Sequence, residues 1–309
     1  MKRQLCCCVL FVSAVTLSIG AGGAPRAAPT GPCGTARTSR TRYAHVIWIL
    51  EENHSYGKII GNPDAPYINA LARECGLATN YHNISHPSLP NYIGMTSGLP
   101  LSRLRRFSGD CSPSSTCSTS APSILGQSPS WKAYDESMPS NCDKRGTREY
   151  AVRHNPALYF TRLTGCATKD LPYTRLAPNL RAGTVPAFSF IMPNLIHDMH
   201  DGTVAQGDAW LKHHLPTILN STEYRSGRTA VFITWDEGEG GKSRNCATNT
   251  RDIGCHVATI VISPTTKPDA RSGVLFNHYS LLRTAEELLH LPALGEAKRA
   301  HSMRSAFRL

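Results

Sequence analysis

Four stretches of the chain are largely apolar, without the alternation of a half-exposed strand: HVIWIL at 45–50, AFSFIM at 187–192, TAVFITW at 229–235 and HVATIVIS at 256–263. Continuous apolar runs of this length predict strands covered on both faces, as in a parallel sheet. Helix-like spacing follows at 64–74, 88–97, 122–137 and 203–219, and a last helix is predicted from about Tyr279 to His290. Strands alternating with helices predict an α/β fold.

The ends of the chain read differently. Lys2 and Arg3 precede an apolar stretch from Leu5 to Ile19 and the small residues Gly20 to Ala24, the layout of a secretory signal peptide. The stretch is shorter than the ~20 residues of a spanning helix. We therefore expect a signal peptide over 1–24 with cleavage at about 24–28, and a Pro/Gly/Thr/Arg-rich leader over 25–42. One folded domain over 43–292 and a basic tail over 293–309 complete the division. The expected location is secreted, extracellular or periplasmic, with no stable membrane insertion.

Of the 11 cysteines, Cys6, Cys7 and Cys8 fall in the signal segment, leaving eight. An even number in an exported chain predicts disulfides, and eight cysteines allow 105 pairings. The pairs nearest in sequence, Cys111/Cys117 and Cys246/Cys255, are spaced for loop staples rather than for a zinc site. The Ser/Thr-rich segment 108–120 reads as a surface loop closed by Cys111 and Cys117. The formal net charge of +11 is spread along the chain apart from Arg103, Arg105 and Arg106, so no nucleic-acid partner is expected.

In an open parallel sheet, ligands gather beyond the carboxyl ends of the strands. Two apolar runs end in acids: Glu51-Glu52-Asn53-His54-Ser55 after the first, and Asp236-Glu237-Gly238-Glu239-Gly240-Gly241 after the third. Carboxylates that converge repel one another unless a cation joins them. An all-oxygen set favours calcium, magnesium or manganese over a thiolate-type zinc site. Ser88, in Ser85-His86-Pro87-Ser88, starts a predicted helix. Such a serine is commonly a cap, but the same position offers backbone donors and a positive dipole end to a phosphate.

Taken in order, seven segments resemble the phosphoesterase family of bacterial acid phosphatases and phospholipases C, in the alkaline-phosphatase-like superfamily. They are HVIWILEENHSY at 45–56, SHPSLPNYIGMTSG at 85–98, RHNPALYF at 153–160, MPNLIHDMHDG at 192–202, GDAWL at 207–211, FITWDEGEGG at 232–241 and NHYSLLRTAEELL at 277–289. The resemblance implies an alkaline-phosphatase-like, doubly wound, mostly parallel sheet flanked by helices. It implies a divalent metal beside a hydroxyl nucleophile that forms a phosphoserine intermediate.

Carried across by position, the expected metal set is Glu52, Asn53, Ser88, Asp236 and Glu237. Ser88 is preferred to Ser85 as nucleophile because it stands before Gly98 as the threonine of related nucleotide pyrophosphatases stands before its helix-closing glycine. Asn53, Asn91, His86 and His154 are expected to bind phosphate. His200 and His278 lead as phosphate donors, leaving-group acids or ligands, with Asp198 and Asp201 as further candidates. His82, His213, His214, His256 and His301 carry no functional expectation.

Asp236-Glu237, where the two-zinc alkaline phosphatases have Asp-His, argues against two zincs. Ser85-His86-Pro87-Ser88-Leu89 lacks the arginine of a sulfatase motif. The expected activity is acid-phosphatase-like hydrolysis of small phosphate monoesters. The alternatives are a phospholipase C acting on phospholipid headgroups and a non-catalytic exported binding protein.

Overall fold

The computed structural model describes residues 31–36, 43–241 and 243–309. The expected signal peptide and nearly all of the leader lie outside the described residues. The strands are β1 His45–Glu51, β2 Gly76–Ala78, β3 Tyr81–His82, β4 Trp131–Asp135, β5 Asp170–Pro172, β6 Phe188–Met192, β7 Thr229–Trp235, β8 Thr259–Ile262, β9 Ala270–Ser272 and β10 Phe276–Asn277. The longer helices are α1 Pro66–Glu74, α2 Ser88–Ser97, α3 Val204–Leu219 and α4 His278–Leu288.

Eight strands form one sheet in the order β5-β4-β6-β1-β7-β8-β2-β9, and β10 pairs with β3 separately. β8 runs antiparallel to both its neighbours; the other pairings in the sheet are parallel. β1 lies centrally, in register with β6 and with β7 through Glu51↔Trp235. Its residues from Val46 onward and all of β7 are buried, which is why these segments show no alternation. Trp48 packs edge-on against Phe188 at 4.8 Å between centroids.

Helices flank the sheet in pairs, α1 against α3 and α2 against α4. Pro66 opens α1, where its missing N–H costs nothing. Asp208 of α3 accepts the next two N–H groups of α1, Tyr67 at 3.2 Å and Ile68 at 2.8 Å. Every residue of α2 is buried. The helix stops at Gly98, left-handed with φ 67°, where a Cβ would lie 2.5 Å from the Leu294 carbonyl oxygen.

Two expectations are corrected. The segment 122–137 is not a helix: one turn at Ile124–Gln127 is followed, beyond Ser128-Pro129-Ser130, by strand β4. The terminal segment does not trail away as a tail, because Met303 and Phe307 are fully buried and Thr266 donates to the Phe307 carbonyl at 3.0 Å. The disulfides are Cys33–Cys75, Cys111–Cys117, Cys142–Cys166 and Cys246–Cys255.

Candidate active site

Three loops meet beyond the carboxyl ends of β1, β6 and β7. The Glu52 N–H donates to the Asp198 carbonyl at 2.7 Å, and the Asp236 N–H donates to the Glu51 carbonyl at 2.9 Å. Asn53 turns the chain with φ 60°, a left-handed conformation asparagine tolerates better than most residues, and its N–H donates to Asp236 Oδ1 at 3.3 Å. Glu52 and Asp236 are thus fully buried side by side, with Glu237 6% exposed.

Ser88, the first residue of α2, is 3% exposed and brings its hydroxyl to this acidic group. Its Oγ has two acceptors for one proton, Glu52 Oε2 at 3.2 Å and Glu237 Oε1 at 3.4 Å. The loop before it is held by Asn91, whose Oδ1 accepts the Ile84 and Ser85 N–H groups and whose Nδ2 donates to the Ser85 and Pro87 carbonyls. Asn91, expected to bind phosphate, therefore has its carboxamide fully engaged in shaping the nucleophile loop.

Further groups fix the carboxylates. The Tyr92 hydroxyl, one turn after Ser88, donates to Glu52 Oε1. His154 is buried with Nε2 3.1 Å from Glu52 Oε1 and Nδ1 3.3 Å from Asp198 Oδ2. His86 Nδ1 lies 2.6 Å from Glu237 Oε2. Burial pushes the Glu52 and Asp236 carboxyls well above the usual range, and neighbouring carboxylates add to the rise: Asp236 and Asp198 beside Glu52, and Glu237 beside Asp236.

The two leading histidines sit differently from the expectation. His278 is fully buried, with Nε2 2.6 Å from the Asp236 carbonyl and Nδ1 3.0 Å from the Tyr81 hydroxyl. Both ring nitrogens are engaged, so it supports the Asp236 turn from beneath. His200 stands between Arg153 Nη2, 3.1 Å from its Nε2, and Asp201 Oδ1, 2.7 Å from its Nδ1. An arginine N–H only donates, so Nε2 accepts and the ring proton is on Nδ1. In this arrangement His200 has no proton to give on the side facing Arg153.

The donor set fits a hard or borderline divalent cation. Three carboxylates and a hydroxyl converge, and Asp236 Oδ2 is buried with no hydrogen-bond donor. A cation there would offset the repulsion that raises Glu52 and Asp236. Cys246/Cys255 beside His86 and Cys142/Cys166 beside Asp170 offer no thiolate, because their sulfurs are joined in disulfides.

Sequence reasoning missed Tyr92, Arg153 and Asp110. Tyr92 carries a readable signal, since it lies four residues after Ser88 on the same helix face. Asp110, whose Oδ1 accepts the Leu89 N–H at 2.9 Å, comes from a loop with no such spacing.

Residues 61–292 match the sequence profile of the phosphoesterase family. A phosphatidylinositol-3-phosphatase of Mycobacterium tuberculosis is 29% identical over 271 residues, covering 86% of this chain and 84% of the relative. A phosphate-repressible acid phosphatase of Penicillium chrysogenum is 25% identical over 314 residues, covering 92% and 71%. Among solved structures, the murine ectonucleotide pyrophosphatase/phosphodiesterase 5 superposes with a TM-score of 0.57 at 10% identity, over 81% of this chain and 96% of that one. An alkaline phosphatase superfamily protein from Vibrio parahaemolyticus gives 0.55 at 13% identity, over 86% and 71%. At such identities the structural likeness bears on the fold alone.

Proposed function

Because this chain belongs to the phosphoesterase family and is a hydrolase of phosphoric ester bonds, we propose that it is an exported, metal-dependent phosphomonoesterase of the acid-phosphatase kind, working through a phosphoserine intermediate on Ser88. The observation that carries the reading is the Ser88 hydroxyl at the start of a ten-residue buried helix, between Glu52 and Glu237.

Glu52, Asn53, Ser88, Asp236 and Glu237 would hold a divalent ion of the calcium, magnesium or manganese kind, supplying positive charge against the phosphoryl oxygens and easing ionisation of the serine. The Ser88 proton passes to a carboxylate within reach, Oγ attacks phosphorus, and the bond to the leaving alcohol breaks. Water then hydrolyses the phosphoserine and releases inorganic phosphate. Tyr92 and His154 hold Glu52, His86 holds Glu237, and His278 holds the Asp236 main chain. In-line displacement puts the leaving oxygen opposite Ser88, so its proton comes from the solvent side and not from His278, sealed beneath Asp236.

Among the described residues four disulfides support export, and no helix there is long and apolar enough to cross a membrane. The Mycobacterium tuberculosis relative's name makes phosphoinositide monoesters a class to test beside simple aryl phosphates. The test is hydrolysis of p-nitrophenyl phosphate, p-nitrophenyl phosphorylcholine and a phosphatidylinositol monophosphate from about pH 4 to about pH 9, with chelator, metal add-back and Ser88→Ala. Chelator-sensitive monoester turnover lost in the variant is expected. Full activity in Ser88→Ala would sink the mechanism, and faster turnover of the phosphorylcholine diester would move the activity to a phospholipase C.

A further inference from the structure

Among the described residues, two large apolar side chains stand out in solvent, Ile253 at 80% exposure and Val274 at 46%. Single exposed apolar side chains are ordinary on protein surfaces. These two differ because rigid turns on one part of the surface hold them out, each with an exposed arginine just before it in the chain. Arg251 stands two residues before Ile253, and Arg271 three before Val274.

Ile253 opens a single helical turn, Ile253–Cys255, whose next two residues are buried and whose cysteine is bonded to Cys246. Asp252 caps that turn, its Oδ1 accepting the Gly254 N–H at 2.9 Å, so its carboxylate is turned back into the loop. Val274 lies in the link from the edge strand β9 to β10. Between the two sits a stack of rings, His82 on His256 at 5.4 Å and His256 on Tyr56 at 4.4 Å between centroids. The His256 backbone N–H donates to the Ile253 carbonyl at 3.2 Å. At the other end Asn80 joins the stack to the β9–β10 link: its Oδ1 is 2.9 Å from His82 Nε2, and its Nδ2 donates to the Gly273 carbonyl at 3.2 Å. A short chain of contacts thus fixes Val274 relative to Ile253.

This lip borders the acidic turn. The Gly238 N–H donates to the Gly254 carbonyl at 2.9 Å, and a Cβ on Gly254 would lie 2.3 Å from Gly241 Cα. Ser55, three residues after Glu52, forms a strand bridge with Val257. Of the acids nearby, Asp269 is engaged by Arg271 at 2.9 Å and Glu239 stands beside His54 at 3.9 Å. Apolar tips on rigid turns with arginines alongside suit a bilayer interface, where the tips enter the headgroup boundary and the guanidinium groups meet anionic lipid. The formal net charge of +11 attracts the whole molecule to such a surface.

We propose that Ile253 and Val274, with Arg251 and Arg271, form a lip that docks peripherally on an anionic membrane surface. The inference goes beyond the Ser88 reading and does not depend on it, since the lip holds lipid whichever residue performs the chemistry. Docking there brings the Asp236-Glu237 turn, one hydrogen bond away through Gly238 and Gly254, close to the headgroup layer.

The test is co-sedimentation of the oxidised protein with phosphatidylcholine vesicles, with and without phosphatidylserine, alongside hydrolysis of soluble p-nitrophenyl phosphate. Wild type is expected to bind the phosphatidylserine vesicles, more weakly as salt rises. Ile253→Ser should weaken that binding roughly tenfold, and Arg251→Gln about fivefold. Val274→Ser should weaken it less than Ile253→Ser, in line with its lower exposure. Ile253→Trp, which places an interfacial ring at the tip, should bind tighter than wild type, a gain that misfolding cannot produce. Turnover of the soluble ester should stay within about twofold in all four variants. Wild type that sediments with neither vesicle, or serine variants that bind as wild type does, overturns the docking lip. So does a change from dimer to monomer in Ile253→Ser with vesicle binding unchanged, which would give the surface to a second copy of the chain. Vesicle binding by a wild type that does not hydrolyse the soluble ester upholds the lip and counts against the Ser88 reading alone.

Discussion

His86 Nδ1 lies 2.6 Å from Glu237 Oε2, and the ring fits there because position 241 is glycine: a Cβ on Gly241 would fall 2.1 Å from His86 Nε2. The nucleophile loop and the acidic turn after β7 are therefore keyed to each other by one imidazole. Gly238 and Gly241 are there for close approach, since a Cβ on Gly238 would fall 2.5 Å from the Gly254 carbonyl oxygen, whereas Gly240 supplies a left-handed φ of 73° in open space.

His86→Ala removes the group that orients Glu237 and leaves the carboxylate free to turn. Groups that orient metal ligands typically contribute 10- to 100-fold in affinity or activity. The metal concentration for half-maximal hydrolysis is expected to rise by about that factor, with a parallel loss in metal binding by equilibrium dialysis. Unchanged metal binding would make the contact incidental. Gly241→Ala should lower activity in the same direction by displacing the ring.

Asp208 stabilises the fold at a distance from the chemistry. Its two oxygens receive the Ile68 and Tyr67 N–H groups at the start of α1, so it caps one helix from the side of another. Losing a capping acceptor of this kind costs about 0.5–2 kcal/mol. Asp208→Ala should lower the urea midpoint accordingly and leave kcat/KM within about twofold at a temperature where the protein stays folded. A large kcat/KM loss without a stability loss would contradict this assignment.

Much of the site can be read from the chain because strand ends are readable. The unbroken runs of β1 and β7 place Glu52-Asn53 and Asp236-Glu237 just beyond adjacent parallel strands, and Gly98 marks the end of the nucleophile helix. The short strands β2, β5 and β9, of three residues each, have no period to detect. WKAYD of β4 was lost because Ala, Lys and Asp favour strands little and the flanking residues suit a helix. Asn91 and His278 sit in the expected segments, but which way their polar atoms face depends on tertiary contacts with the Ser85 loop and Tyr81. Asp110 reaches the Leu89 N–H only through the docking of a disulfide loop, which no linear pattern encodes.

Away from the active site, Asp135 and Asp170 form a buried carboxyl pair at the ends of β4 and β5, with Asn155 Nδ2 donating to both Asp170 oxygens at 3.0 Å. Burial raises both groups, Asp135 well above the ordinary 3.8 with Asp170 adding to it, and Asp170 to about 6. A raised carboxyl holds its proton more tightly folded than unfolded. Its contribution to stability is therefore complete below about pH 4 and is lost as pH climbs through about 6 and beyond. The melting temperature should fall across that window, and Asp135→Asn, which offers Asp170 an amide donor, should flatten the fall and melt a few degrees higher at neutral pH. A variant with the same pH slope as wild type would exclude the pair as its source.

The disulfides are expected to separate stability from activity. Cys33–Cys75 closes 42 residues and ties the first described segment to the end of α1, whereas Cys246–Cys255 closes only 9. On chain entropy alone these cross-links stabilise by about 3.9 and about 2.6 kcal/mol, so the longer one matters more to folding. The shorter one holds the site. The Cys246 N–H donates to the Ile84 carbonyl at 2.8 Å, the Asn83 N–H donates to the Cys255 carbonyl at 3.0 Å, and both sulfurs lie within 4.8 Å of a His86 nitrogen. Removing that bridge frees the strap on both sides of residues 83–86, and with it the ring that fixes Glu237. Cys33→Ser/Cys75→Ser should therefore lower the melting temperature most while retaining kcat/KM in the folded protein. Cys246→Ser/Cys255→Ser should melt closer to wild type and lose about tenfold or more in kcat/KM. If instead both double variants lost activity only in proportion to their unfolded fraction, the Cys246–Cys255 strap would be a fold staple with no hold on the catalytic carboxylate.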